Sequence, residues 1–317
     1  MNPLPTPNQD SPESGVTVSL AALIRLRFQA ISSGFQGRKK VHSALIGGFA
    51  SPFRGRGMEF EEVRAYQPGD DIRNMDWRVT ARTGKPHTKL FRQERERPVY
   101  FLVDLNPSMA FGTRVAFKSV VAARIAALLA WSVARKGDRV GGLIFTDQGH
   151  WESRPASGKR GVLPLLGKIC QHLPKPGAFL DTPLSLVQPL ARLQRVTRPG
   201  SLIFIISDFL ALDTEALHRM SDLARHNDVV AIQLHDPLEA ELPPSGRFAF
   251  GDGERVLNLD VGDARVREGH RRRFQTHGEH LAAACGKRNV FFLSLATDAP
   301  LPEALFRELR PLTGRRS

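Results

Sequence analysis

Asp104, Asn106 and Ser108 place a carboxylate, an amide carbonyl and a hydroxyl on alternate positions of one short segment. Hard divalent cations such as Mg2+ take oxygen donors of these kinds at roughly 2.0–2.1 Å. Asp208 offers a second carboxylate, and Thr182, just ahead of Pro183, offers a hydroxyl from another loop. Each residue also has a plainer reading. Asp104 and Ser108 would suit the cap of a following helix, and Thr182 an N-cap before a proline at the first helical position. Taken together, the five donors Asp104, Asn106, Ser108, Thr182 and Asp208 point to a site for Mg2+ or Mn2+, because both acids close strongly apolar runs.

Those runs are the elements that must hold the site. Val99–Val103 and Ser201–Ile206 are short, β-rich and apolar on both faces, as buried parallel strands are. Strands are expected at 99–104, 140–146, 201–206, 228–234 and 289–295. Helices are expected near 114–136, 158–173, 183–196, 213–226 and 264–286. The alternation describes an α/β domain over 98–312. In open sheets of that class ligands gather at the carboxyl ends of the strands, where Asp104 and Asp208 stand. His235-Asp236-Pro237 brings a further acid to the same edge, although an Asp before Pro commonly serves a turn. Residues 248–256 read as a hairpin turning at Gly251-Asp-Gly253.

Ahead of this domain the chain has a different character. Residues 1–15 carry four prolines and no basic residue, a tail rather than a signal peptide. Residues 16–97 read as an amphipathic helix followed by a small β-rich subdomain. From Gly34 to Arg97 there are 14 Lys/Arg against 8 Asp/Glu, net +6, with Arg38-Lys39-Lys40, Gly55-Arg56-Gly57 and the turn Gln67-Pro68-Gly69-Asp70. The strand pattern is clearest at Thr88–Arg92. No long apolar run occurs there, so the subdomain is expected to lean on its neighbour for part of its core.

The whole chain carries 45 basic and 32 acidic residues, a formal charge of +13. A basic surface suits an acidic protein partner, and leaves contact with an anionic membrane face open. Nucleic acid is disfavoured, because no aromatic-interleaved motif, finger or helix-turn-helix accompanies the charge. Cys170 and Cys285 are far apart and have no metal-ligand spacing, so both read as core thiols in a reducing, cytoplasmic compartment. The apolar segments are interrupted by Arg25, Arg27, Lys118 and Arg124, too often for a membrane span.

Catalysis finds little purchase. A haloacid-dehalogenase-like phosphotransferase would need a second acid where Asn106 stands, and an amide cannot relay a proton as a carboxylic acid does. No Gly-x-Ser-x-Gly elbow is present, and His277 and His280 lack the spacing of a zinc protease helix. A metal-dependent phosphate-ester hydrolase built on the same acids and a nucleic-acid binder using the basic surface remain the rivals to a protein-binding module.

The segment Gly57-Met-Glu59-Phe60-Glu-Glu-Val63-Arg64-Ala-Tyr66-Gln-Pro-Gly69-Asp70-Asp71-Ile-Arg73-Asn-Met-Asp76-Trp77-Arg78 resembles a bacterial group, domain-of-unknown-function family fifty-eight. Further matching blocks are the Asp104 loop, Gly137–Gly141, Ile206–Phe209, His235–Glu239 and Leu295–Asp298. The resemblance spans about residues 17–312. It implies a Rossmann-like, von Willebrand factor A-type sheet with helices on both faces, behind the small β-rich subdomain. It also implies a metal-ion-dependent adhesion site. Asp104, Ser108, Thr182 and Asp208 match that site's pattern, and Asn106 departs from its first Ser. Members are similar to partners of MoxR-type AAA+ ATPases, so such an ATPase is the implied partner.

Overall fold

Apolar runs that bury both faces need helices on both faces, and the computed structural model has that arrangement. It describes residues 15–32, 58–67, 70, 72–93, 96–177, 184–251 and 256–314. The expected tail at 1–14, the basic segments at 38–40 and 55–57, Pro68-Gly69, Thr182 and most of the 251–253 turn lie outside them.

The described residues form two units, one of 15–32 with 97–314 and one of 58–96. The larger unit carries a six-stranded sheet. Its strands are β3 (Pro98–Asp104), β4 (Arg139–Thr146), β5 (Gly149–Ser157), β6 (Leu202–Ser207), β7 (Asp228–His235) and β10 (Val290–Ala296). Their order is β10-β7-β6-β3-β4-β5, all parallel except the edge strand β5, which runs antiparallel to β4. β5 was not foreseen. It is a mostly exposed edge with Pro155 and charged side chains, so its sequence lacks the apolar run that marks the inner strands.

The helices of this unit are α1 (Leu20–Ser32), α3 (Lys118–Arg135), α4 (Lys159–Gln171), α5 (Val187–Val196), α6 (Thr214–Ala224), α7 (Pro237–Ala240), α8 (Ala264–Gly286) and α9 (Glu303–Gly314). Alternation along β3 sorts them. Val99, Phe101 and Val103 join a core with α1, α3, α4 and α9, whereas Tyr100 and Leu102 join one with α5, α6 and α8. Phe101 and Phe204 stack across β3 and β6 at 5.2 Å. A short ladder of β8 (Arg247–Gly251) with β9 (Val256–Asp260) supplies the expected hairpin strands.

Two expectations need correction. The first helix, expected to belong with the small subdomain over 16–97, does not. Instead α1 packs on α3, with Leu23 fully buried and its carbonyl accepting from Trp131 Nε1 at 3.2 Å. Helix α3 starts at Lys118, not near 114. Residues 110–117 form a loop, and Gly112 belongs in it because a Cβ there would strike the backbone of Ala116 and Phe117.

The smaller unit pairs β1 (Met58–Ala65) with β2 (His87–Gln93) around α2 (Trp77–Thr83). Asp76 caps α2, its carboxylate accepting from the N–H groups of Arg78 and Val79, and Gly84 ends the helix at φ 69°. Arg64 and Asp70 form an ion pair at 2.7 Å. Among the residues of this unit whose side chains are described, only Thr88 is buried.

Candidate functional site

The strand order turns at β3. The chain moves from β3 outward to β4 and β5, then returns to the other side of β3 as β6. A crevice at the carboxyl ends is expected where order reverses in this way. Asp104 ends β3, and Asp208 follows the last residue of β6, so both acids stand at that point.

Asp104 is buried, and its carboxylate is organised from both strands. Oδ1 accepts from the N–H of Asn106 at 3.0 Å, and Oδ2 accepts from the Ser207 hydroxyl at 2.6 Å. Ser207 accepts in turn from the N–H of Phe209 at 3.0 Å. Burial, and after it the charge of Asp208, push the Asp104 carboxyl up from its usual range to about 7. The hydrogen bonds from Ser207 and Asn106 and the charge of Lys118 pull the other way. Two buried carboxylates that raise each other's energy favour added positive charge nearby.

Asn106 has an extended backbone and is 3% exposed. Its amide oxygen Oδ1 is buried and has no hydrogen-bond partner among the described residues. A buried carbonyl left unpaired is costly, so an acceptor in this state suits a ligand it has yet to bind. Ser108 follows within a 3-10 turn over Pro107–Met109 and is partly exposed. The loop is therefore not extended through 108, and simple alternation does not describe it. Thr182 lies outside the described residues. Neither Asp104 nor Ser108 caps α3, whose N-cap is Phe117.

Asp208 brings a complication that sequence reading missed. Its Oδ1 accepts from the N–H of Leu210 at 3.2 Å, and its Oδ2 pairs with the ammonium of Lys118 at 2.9 Å. Lys118 is fully buried, and a second carboxylate, Glu239, meets it at 2.7 Å. Burial alone would lower the lysine's pKa, but Asp208 and Glu239 outweigh burial and raise it. Phe209 follows at φ 55°, an unusual conformation for a bulky residue, and its buried ring anchors it.

Asp236 at the end of β7 is not free for a cation. It accepts from the Thr113 N–H at 2.9 Å, the Thr113 hydroxyl, the Leu238 N–H at 3.0 Å and the Thr297 hydroxyl at 2.8 Å. Burial raises its pKa, but these bonds outweigh that and hold it below the usual value. Glu239 Oε2 accepts from the Asp236 N–H at 2.8 Å, closing a capping box on α7 while Oε1 holds Lys118. Arg114 pairs with Asp298 at 3.0 Å. Four of the matching sequence blocks, distant along the chain, thus meet on one edge: the Asp104 loop, Ile206–Phe209, His235–Glu239 and Leu295–Asp298.

One signal could have revealed Lys118. A lone Lys within the apolar run Val115–Ala134 is either exposed or paired, because lysine is almost never fully buried otherwise. Cys285 is buried and Cys170 partly so, both free, and burial pushes each thiol up to about 11. His277 and His280 sit on α8 beside Arg272 and Arg273, along an open groove whose lining includes none of these carboxylates. Among the described residues, no helix is long and apolar enough to cross a membrane.

Comparison with known proteins finds similarity at the level of family. The family described as "Protein of unknown function DUF58" matches residues 62–280. The uncharacterized protein Rv1480 of Mycobacterium tuberculosis (strain ATCC 25618 / H37Rv) is 30% identical over 262 residues, covering 82% of this chain and 81% of its own. The uncharacterized protein Mb1516 of Mycobacterium bovis matches with the same identity and coverage. Among solved structures, the conserved hypothetical protein BatB from Bacteroides thetaiotaomicron is similar with a TM-score of 0.42 and 14% identity. That match covers 69% of this chain and 100% of BatB.

Proposed function

The chain belongs to the DUF58 family of proteins of unknown function, and from that premise we propose that it is a non-enzymatic, Mg2+-dependent protein-binding module. In this reading its sheet is of the von Willebrand factor A type. It works in the cytoplasm with a MoxR-type AAA+ ATPase in assembling or activating protein complexes. The observation that supports the reading most is the unpartnered, buried amide oxygen of Asn106 beside the crowded Asp104 and Asp208 carboxylates at the turning point of the sheet. Asp104, Asn106 and Ser108 would hold the ion, with Thr182 and Asp208 completing the set. Bound there, Mg2+ would supply a coordination position for a partner's carboxylate. The chain's own part is to keep water from the Asp104 carboxylate and to fix the loop through Ser207, Thr113 and Asp236.

Calorimetry with Mg2+ and Mn2+ on the wild type and Asp104→Ala tests the site. Heat in the wild type that is lost in the variant supports it, and equal, absent heats at saturating ion overturn it. Capture of partners from native cell extract, with and without EDTA, tests the binding role. An ATPase retained only without chelator is the expected result.

A further inference from the structure

This edge of the sheet already contains a cation. Lys118 begins α3, where the helix dipole and full burial both oppose a positive charge, so its position requires compensation. Compensation comes from two strand-end loops: Asp208 after β6 at 2.9 Å and Glu239 after β7 at 2.7 Å. The Phe111 ring lies 5.8 Å from the ammonium, and the Phe111 carbonyl accepts from the Lys118 N–H at 2.8 Å. The ammonium thus joins the loop after Asp104 to both neighbouring loops. Among the described residues Asp104 is bonded to no cation: its oxygens accept from an N–H and a hydroxyl.

We propose that Lys118 is a resident cation which claims Asp208, so that a divalent ion is held first by Asp104, Asn106 and Ser108 and must compete with the ammonium for Asp208. The inference rests on the reading of this edge as a cation site. It assigns the two acids different duties. Asp104 is the open carboxylate, and Asp208 is shared. Glu239 keeps Lys118 in place when Asp208 is drawn toward an ion, because its own grip on the ammonium is separate and is fixed by the Asp236 capping box. Binding in the wild type is accordingly weak, and Lys118 sets its strength.

The test is titration of the full-length wild type and Lys118→Met with MgCl2 and MnCl2, read by calorimetry and by thermal shift. Removing one positive charge from a buried crevice should tighten binding of a divalent ion by about tenfold or more. Ion should also raise the melting temperature of Lys118→Met more than that of the wild type. If the wild type binds and Lys118→Met binds no tighter, the lysine does not compete and the inference falls, while the cation site stands. If neither protein binds, both fall. Should Lys118→Met fail to fold, the wild type still decides. Its buried ammonium should give a side-chain 1H–15N signal that moves as MgCl2 saturates. Movement of the Asn106 side-chain amide with an unmoved Lys118 signal overturns the competition.

Discussion

The Ser207 hydroxyl donates to the Asp104 carboxylate at 2.6 Å, tying the carboxyl end of β6 to that of β3. The two strands are in parallel register, Val103 against Ile206, so the residues next in line meet side by side. This bond joins segments 103 residues apart. It leaves Asp208, one position on, to turn toward Lys118. Ser207 thus fixes Asp104, while Lys118 and the Leu210 N–H fix Asp208.

Asp104→Asn should separate stability from ion response. The amide oxygen can still accept from the Asn106 N–H, its NH2 can meet Ser207 with the donor and acceptor roles exchanged, and a buried charge next to Asp208 is removed. In ion-free buffer at pH 8 the variant should be more stable by roughly 1–2 kcal/mol. The sign follows from the raised carboxyl. Its contribution is full below the unfolded value of 3.8 and is lost as pH rises through about 7, a loss the variant cannot show. Urea melts across that range measure the difference. A variant less stable than the wild type at pH 8 contradicts the account.

His235 should impose the opposite dependence. Burial, with the nearby Lys118 charge, lowers its pKa against the raising influence of Glu239, Asp236 and Asp298. Its ring rests 5.0 Å from Phe274 and bonds Ser294 at 3.1 Å. A histidine held neutral stabilises fully above 6.5, and that stability is lost as pH falls through the lower folded value. Melting of the wild type should decline from pH 7 to pH 5 more steeply than that of His235→Gln. Parallel curves would remove His235 from the pH response.

Arg97 works at the other edge of the sheet. Its guanidinium donates to the carbonyls of Gly200 and Ser201 and pairs with Asp228 at 2.7 Å, joining the amino ends of β3, β6 and β7. Lysine cannot reproduce that fork. Arg97→Lys should cost about 1–2 kcal/mol and leave the calorimetric response to Mg2+ unchanged. An altered ion affinity would show that the two edges are coupled.

The basic face of α8 should govern association, not ion binding. Arg271, Arg272 and Arg273 are exposed, and Glu268 pairs with only the first two. Residues 265–316 hold 11 Lys/Arg against 5 Asp/Glu, net +6. Changing all three arginines to Glu should slow association with a MoxR-type ATPase at low salt by about tenfold or more. Mg2+ calorimetry should be unaffected. Retention on DNA lost while ATPase association stays intact would favour nucleic acid instead.

The sequence by itself determined the inner strands, the alternation with helices and the acids that end β3 and β6. Those features are local: an apolar run long enough for a buried strand, closed by a polar residue, is written in consecutive letters. The polar edge strand β5 and the terminal helix α9 were not foreseen. In β5 the reason is that an exposed edge needs no continuous apolar pattern. Only the tertiary structure decided which charges meet. Lys118 reads as an interruption in an apolar helix until strand order brings Asp208 and Glu239, 90 and 121 residues away, onto its ammonium. Likewise Asp236 is a turn residue in sequence, and becomes a four-bonded anchor once Thr113 and Thr297 arrive from other loops. Hydrogen bonds and ion pairs act over a few ångströms, and folding alone sets which distant side chains come that close.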